Sequence, residues 1–80
     1  MKIKVLFFGI TTDLVATSNL ELGVLEGLSV SSFKNLLKEN YPKLENIDSY
    51  AIAVNEEYAS NELLLKENDV IAVIPPVSGG

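Results

Sequence analysis

One stretch of this chain carries a helical repeat, and short strand-like runs lie on both sides of it. Val30, Phe33, Leu36, Leu37 and Tyr41 recur at three- and four-residue spacing and make one apolar stripe; Lys34, Lys38 and Glu39 fall largely on the opposite side. Ser29 stands where its hydroxyl can satisfy an orphan N–H of the first helical turn. Pro42 sets the other limit, because the residue before a proline avoids the helical region. A helix with a single apolar stripe must bury it against another layer, here one face of a mixed sheet.

The strands of that sheet are legible from alternation. Lys2 to Phe8 points Ile3, Val5 and Phe7 one way and Lys2, Lys4, Leu6 and Phe8 the other. Gly9 to Ala16 is a connector with room for a short helix. Asn19 to Leu25 reads as a second strand with Leu20, Leu22 and Val24 on one face, Glu26-Gly27 as the turn after it, and the pair as an antiparallel hairpin. Beyond the helix, Leu44 to Ser49 reads as a polar connector, Tyr50 to Val54 as a third strand, and Asn55-Glu56-Glu57 as a turn in which Asn55 can adopt the left-handed region. Tyr58-Ala59 reads as a brief fourth strand. Leu63 to Leu65 are expected to fill a core edge, Lys66 to Asp69 to turn the chain, and Val70 to Ile74 to form a last strand apolar on both faces. If the first and last strands are neighbours they pair in parallel, and the helix supplies the long crossover this needs. The expected fold is α+β, a ubiquitin-like β-grasp in which residues 1–80 form a single domain and 75–80 an extended C-terminal tail.

Composition narrows the chemistry. The chain has eighty residues, 48% of them hydrophobic, enough for one compact core and too many for a disordered segment. It contains no cysteine and no histidine, so thiolate chemistry, disulfides and the commonest general base and metal ligand are excluded. Six lysines, no arginine and eleven acidic residues leave a net charge of −5, a poor match for nucleic acid and a good one for a basic partner surface. The apolar runs are too short to span a bilayer, and Met1 to Lys4 leads straight into a strand without a signal-peptide core. A cytoplasmic protein is expected, with no nucleic-acid or membrane partner.

The last six residues, Pro75-Pro76-Val77-Ser78-Gly79-Gly80, cannot fold alone. Pro75 and Pro76 favour an extended path, and six extended residues reach about 20 Å at roughly 3.3 Å each. Gly79 and Gly80 let another protein's backbone approach closely, which suits a narrow cleft. What such a tail presents at its tip is the Gly80 carboxylate.

Three segments, Lys4-Val5-Leu6-Phe7-Phe8-Gly9, Ala53-Val54-Asn55 and Asp69 through Ile74 running into Pro75-Pro76-Val77-Ser78-Gly79-Gly80, resemble the small subunit of molybdopterin synthase, the MoaD family of β-grasp sulfur carriers. The resemblance spans the whole length, and the closing Pro-Pro-Val-Ser-Gly-Gly is its most specific part. Similar proteins usually carry a basic residue near Thr12 and a glycine near Asn68. Thr12 puts an ion pair in the first connector in doubt, whereas asparagine at 68 tolerates positive φ.

The resemblance implies a chemistry in which this chain is a carrier and not a catalyst alone. An ATP-dependent adenylyltransferase, MoeB-like, would adenylate Gly80, and delivered sulfur would convert it to a thiocarboxylate, a C-terminal thioglycine. The tail would then enter the large synthase subunit, MoaE-like, within a heterotetramer and donate sulfur to a pyranopterin precursor in molybdenum cofactor biosynthesis. ATP would be used by the activating partner; no cofactor or metal is expected on this chain. Gly79 would share the threading role, with Pro75, Pro76, Val77 and Ser78 contacting the partners. Phe8, Tyr58 and Ile74 are the candidate docking residues, because a sheet covered by one helix leaves an open face and apolar side chains there suggest an interface. Glu56-Glu57 and Glu67-Asn68-Asp69 read as solvated turn carboxylates, and Lys34, Lys38 and Lys43 as a solvent-facing helix edge. A bare Gly-Gly end is shared by carriers for thiamin or tRNA thiolation and by ubiquitin-like protein modifiers, and a β-grasp interaction domain needs no tail chemistry, so these remain the alternatives.

Overall fold

Alternation in the first strand decides the layers. The computed structural model describes residues 1–76, with strands β1 (Lys2–Phe7), β2 (Asn19–Gly23), β3 (Ala51–Val54), β4 (Glu57–Tyr58) and β5 (Val70–Ile74), and helices α1 (Ile10–Val15) and α2 (Val30–Asn40). Ile3, Val5 and Phe7 of β1 are buried, as are Ile71 and Val73 of β5 and Ile52 and Val54 of β3. Fully buried Val30, Phe33 and Leu37 of α2 complete this cluster, so α2 lies across one face of the sheet. The Phe7 ring meets Tyr41 edge-on, with centroids 6.4 Å apart.

The sheet runs in the order β2-β1-β5-β3-β4. β1 and β2 form the antiparallel hairpin, with Ile3 opposite Leu22 and Val5 opposite Leu20. β1 and β5 are parallel neighbours, with Val5 beside Ile71 and Phe7 beside Val73; β3 pairs antiparallel with both β5 and β4. This is the ubiquitin-like β-grasp that the element order implies.

The start of α2 is accounted for bond by bond. Ser29 Oγ accepts from the Ser32 N–H at 3.1 Å, as its position in the sequence suggests. The N–H groups of Val30 and Ser31 donate to the carbonyls of Leu63 and Asn61, at 2.9 and 3.0 Å. The first turn therefore ties down the 61–63 segment as well as itself.

Several expectations need correction. Leu44 to Ser49 is no polar connector: Leu44 and Ile47 are fully buried, and Ile47–Ser49 forms a 3-10 turn that presses them under the core. Only Leu65 of the 63–65 run is buried, while Leu63 and Leu64 remain exposed, because the chain there is held by backbone bonds to α2 rather than by strand alternation. Lys34 is not on a solvent-facing edge. It is only 7% exposed, and its Nζ donates to Asn61 Oδ1 at 3.0 Å, so its stem lies along the docked segment. The turn after β3 is the two-residue Asn55-Glu56, with φ of 52° and 73°, and it places Glu57 in β4 opposite Val54. Left-handed φ at both central residues is the twist a two-residue hairpin demands. Asn68 takes φ 69°, the left-handed conformation expected of it.

Asp69 also departs from a solvated turn carboxylate, being 8% exposed. Its Oδ1 accepts from Asn55 Nδ2 at 2.9 Å and its Oδ2 from the Lys66 N–H at 2.7 Å. Asn55 Oδ1 in turn accepts from the Val70 N–H at 3.0 Å. Together they bolt the β3–β4 turn to the start of β5. Asp69→Ala strands both donors, and we expect a loss of about 1–3 kcal/mol in urea unfolding; an unchanged midpoint would show the clamp to be redundant.

Candidate functional site

β1 and β5 run in the same direction, so both end at one pole of the molecule, and the tail departs there. The ladder continues one residue beyond β1, where the Phe8 N–H donates to the Val73 carbonyl at 3.3 Å. Phe8 thus keeps the alternation of its strand, points away from α2 and stays 47% exposed. Ile74, half-buried, lies beside it on β5, opposite Ala51 of β3. The next row on the same face is Leu6, Ala72, Ala53 and, at the outer edge, Tyr58, which is 80% exposed. Phe8, Ile74 and Tyr58 therefore share the open face. Three strand spacings of about 4.8 Å put Tyr58 roughly 14 Å across the sheet from Phe8. The charged residues Lys2, Lys4 and Glu21 of this face lie at the far end from the tail, with Lys4 opposite Glu21 in the register of β1 and β2.

The corner after β1 is closely held. Gly9 adopts φ 59° and ψ −139°, and α1 begins at Ile10. The buried Thr11 bonds to the Phe8 carbonyl through both its N–H and its hydroxyl. Thr12 does the same to the Gly9 carbonyl, with the hydroxyl at 2.8 Å. A Cβ on Gly9 would stand 3.2 Å from Pro75 Cγ, so the proline ring packs tightly over the Gly9 backbone. Pro75 is half-buried in this contact and Pro76 is exposed. Val77, Ser78, Gly79 and Gly80 lie outside the described residues.

Sequence reasoning gave Gly9 and Thr11 no role at this corner and noted Thr12 only for an ion pair it cannot make. The available signal was a glycine directly after a strand, followed by two hydroxyl residues able to hold carbonyls of the preceding turn. The Thr12 hydroxyl supplies a local bond to the Gly9 carbonyl.

Among the described residues no three acidic side chains converge on a possible metal ion, and no helix is long and apolar enough to cross a membrane. A cavity of about 460 Å³ is lined by Met1, Gly23, Val24, Leu25, Leu28 and Leu36 at the pole opposite the tail. It is apolar and touches none of the candidate residues. The arrangement near the tail is suited to docking and presentation: an apolar row beside a proline root that leads to Gly80.

The ThiS family model matches residues 5–80 of the chain. The chain is 37% identical over 83 residues to the molybdopterin synthase sulfur carrier subunit of Caenorhabditis elegans, covering all of this chain and 99% of that one. A Pyrococcus furiosus protein proposed as subunit 1 of molybdopterin converting factor superposes with a TM-score of 0.87 at 30% identity, covering 96% of this chain and 99% of its own. The complex of subunits 1 and 2 of the Helicobacter pylori molybdopterin-converting factor contains a chain with a TM-score of 0.71 at 28% identity, matched over the full length of both. Sequence and fold agree end to end: the chain belongs to the ThiS family, among the molybdopterin synthase sulfur carrier subunits.

Proposed function

We propose that this chain, as the sulfur carrier subunit of a molybdopterin synthase, carries its sulfur on the carboxyl group of Gly80. An ionised carboxylate, with a reference pKa of about 3.3–3.7, is a poor electrophile. Adenylation by an ATP-dependent partner replaces an oxygen anion with a good leaving group and releases pyrophosphate. A sulfide-equivalent nucleophile then displaces AMP and leaves a thiocarboxylate. That sulfur attacks a carbon of the pyranopterin precursor and displaces an oxygen substituent from it, and water then cleaves the acyl–sulfur bond and regenerates the Gly80 carboxylate. Two such transfers build a dithiolene. The chain itself binds no cofactor in this scheme; ATP and the acid–base groups belong to the partners.

The observation that carries the reading is the full-length match to sulfur carrier subunits, joined to a tail that departs beside an exposed apolar row. Phe8, Ile74 and Tyr58 dock the large subunit, and Pro75, Pro76, Val77 and Ser78 line its cleft while Gly79 and Gly80 pass through the narrowest part. Support for a large-subunit partner comes from the Helicobacter pylori complex of subunits 1 and 2.

Co-expression with a MoeB-like adenylyltransferase and intact-mass measurement test the first half. The expected gain is one oxygen-to-sulfur replacement at the C-terminus. Reconstitution with a MoaE-like large subunit and the pterin precursor tests the second, the expected result being dithiolene product. A thiocarboxylated chain that neither binds the large subunit nor yields product, yet thiolates tRNA or becomes joined to lysines, would instead identify one of the alternative carriers.

A further inference from the structure

We infer that Gly9 is a positioning residue for sulfur transfer: the β1–α1 corner is a seat that fixes the direction in which the tail leaves the sheet. This rests on the reading of Gly80 as the sulfur-bearing end. Three observations converge on it. A Cβ on Gly9 would stand 3.2 Å from Pro75 Cγ, a tight contact from which the ring would have to give by a few tenths of an ångström, with Cδ at an ordinary 3.9 Å. Gly9 holds φ 59° with ψ −139°, a backbone conformation that side-chain-bearing residues rarely adopt. The peptides on both sides of it are pinned, because Thr11 holds the Phe8 carbonyl and Thr12 the Gly9 carbonyl through N–H and hydroxyl together.

The seat is continuous with the sheet. The Phe8 N–H bonds to the Val73 carbonyl, so β5 is held to β1 up to the residue before the tail. The ladder therefore runs into Ile74, and Pro75 packs against Gly9 directly after it. A tail that starts from a fixed point and direction loses less entropy on entering a cleft and reaches its target in fewer wrong orientations. An error in direction at Pro75 is magnified along the residues that follow. A displacement of about 1 Å at a reacting atom can cost roughly 100-fold in rate.

The inference separates transfer from docking. Phe8 and Ile74 project onto the open face, whereas Gly9 meets Pro75 through its backbone and offers no side chain to a partner. Gly9→Val adds a β-branched side chain against Pro75 and strains the left-handed φ. The test uses thiocarboxylated wild-type and Gly9→Val chains with the large subunit. Calorimetry gives Kd, and single-turnover product formation at saturating carrier gives the transfer rate. The expected result is a Kd within about threefold of wild type and a transfer rate lowered about 100-fold. Transfer at the wild-type rate, or a loss confined to Kd, would overturn the inference.

Where Gly9→Val does not fold, as read by circular dichroism, Thr12→Val takes its place. It removes the hydroxyl bond to the Gly9 carbonyl and leaves the N–H bond, and it should lower saturated transfer at least several-fold with Kd retained. A wild-type rate in this variant would overturn the inference. Wild-type protein that forms no product in the same assay would instead sink the sulfur-carrier reading.

Discussion

Deleting Gly79 and Gly80 is expected to abolish synthase activity altogether while leaving the folded domain as stable as before. Among the described residues the hydrophobic core is assembled from residues between Ile3 and Val73, and a glycine has no side chain to add to it. Thermal unfolding should therefore be unchanged within the few tenths of a kcal/mol typical of substitutions remote from the core. Chemistry should fail for a different reason. The shortened chain still ends in a carboxylate, but that carboxylate is carried by Ser78, two residues short of the reacting position and bearing a side chain where a close-fitting channel needs none. Each extended residue contributes roughly 3.3 Å of reach, so the tip falls about 6–7 Å short. Intact mass after co-expression with the activating enzyme should show no oxygen-to-sulfur replacement, and reconstituted synthase should form no dithiolene. Activity that survives the deletion would remove the terminal glycines from the mechanism.

The second large effect is expected at Phe8. Phe8→Asp should weaken association with the large subunit by about 2 kcal/mol or more, the range of an aromatic interface anchor. That is roughly a 30-fold rise in Kd. Phe8 is 47% exposed on the face opposite α2, so the aspartate can remain hydrated in the free protein and the melting temperature should hold. In the complex the same carboxylate would be desolvated among apolar side chains or would exclude them. Ile74→Asp, in the adjacent row position, should act in the same direction with some loss of stability, because Ile74 is half-buried. Calorimetric titration of each variant against the large subunit, with circular dichroism melts alongside, separates docking from folding. A collapse of the Phe8→Asp melt would assign that ring to the core. Undiminished affinity would take the row out of the interface.

Much of the architecture was readable in advance because it depends on local periodicity. The stripe from Val30 to Leu37 and the cap at Ser29 defined α2 to within a residue at each end, and Ile3, Val5 and Phe7 identified the buried face of β1. The asparagine at 68 signalled a left-handed turn that the backbone adopts. Periodicity failed where segments are too short to display it. Leu44 and Ile47 are three residues apart in a stretch with a single 3-10 turn, and nothing but their burial reveals that they close the core. Lys34 looked solvated because a charge on a helix usually is, and the segment that covers it comes from Asn61, 27 positions away.

The candidate site divides along the same line. Residue order alone determined which groups the tail carries, which face of each strand is apolar, and that one helix must cover one side of a sheet, since these follow from covalent sequence and the repeats of helix and strand. Tertiary structure alone decided that β1 and β5 lie side by side, because a strand's alternation says which face is buried and not which strand is its neighbour. From that pairing come the row of Phe8 and Ile74 and the contact of Pro75 with Gly9 across 66 positions of chain, while the β3–β5 pairing sets Asp69 beneath the Asn55 turn. Contacts at such separation are chosen by the packing of the whole core, where each one is stable only because the others have formed.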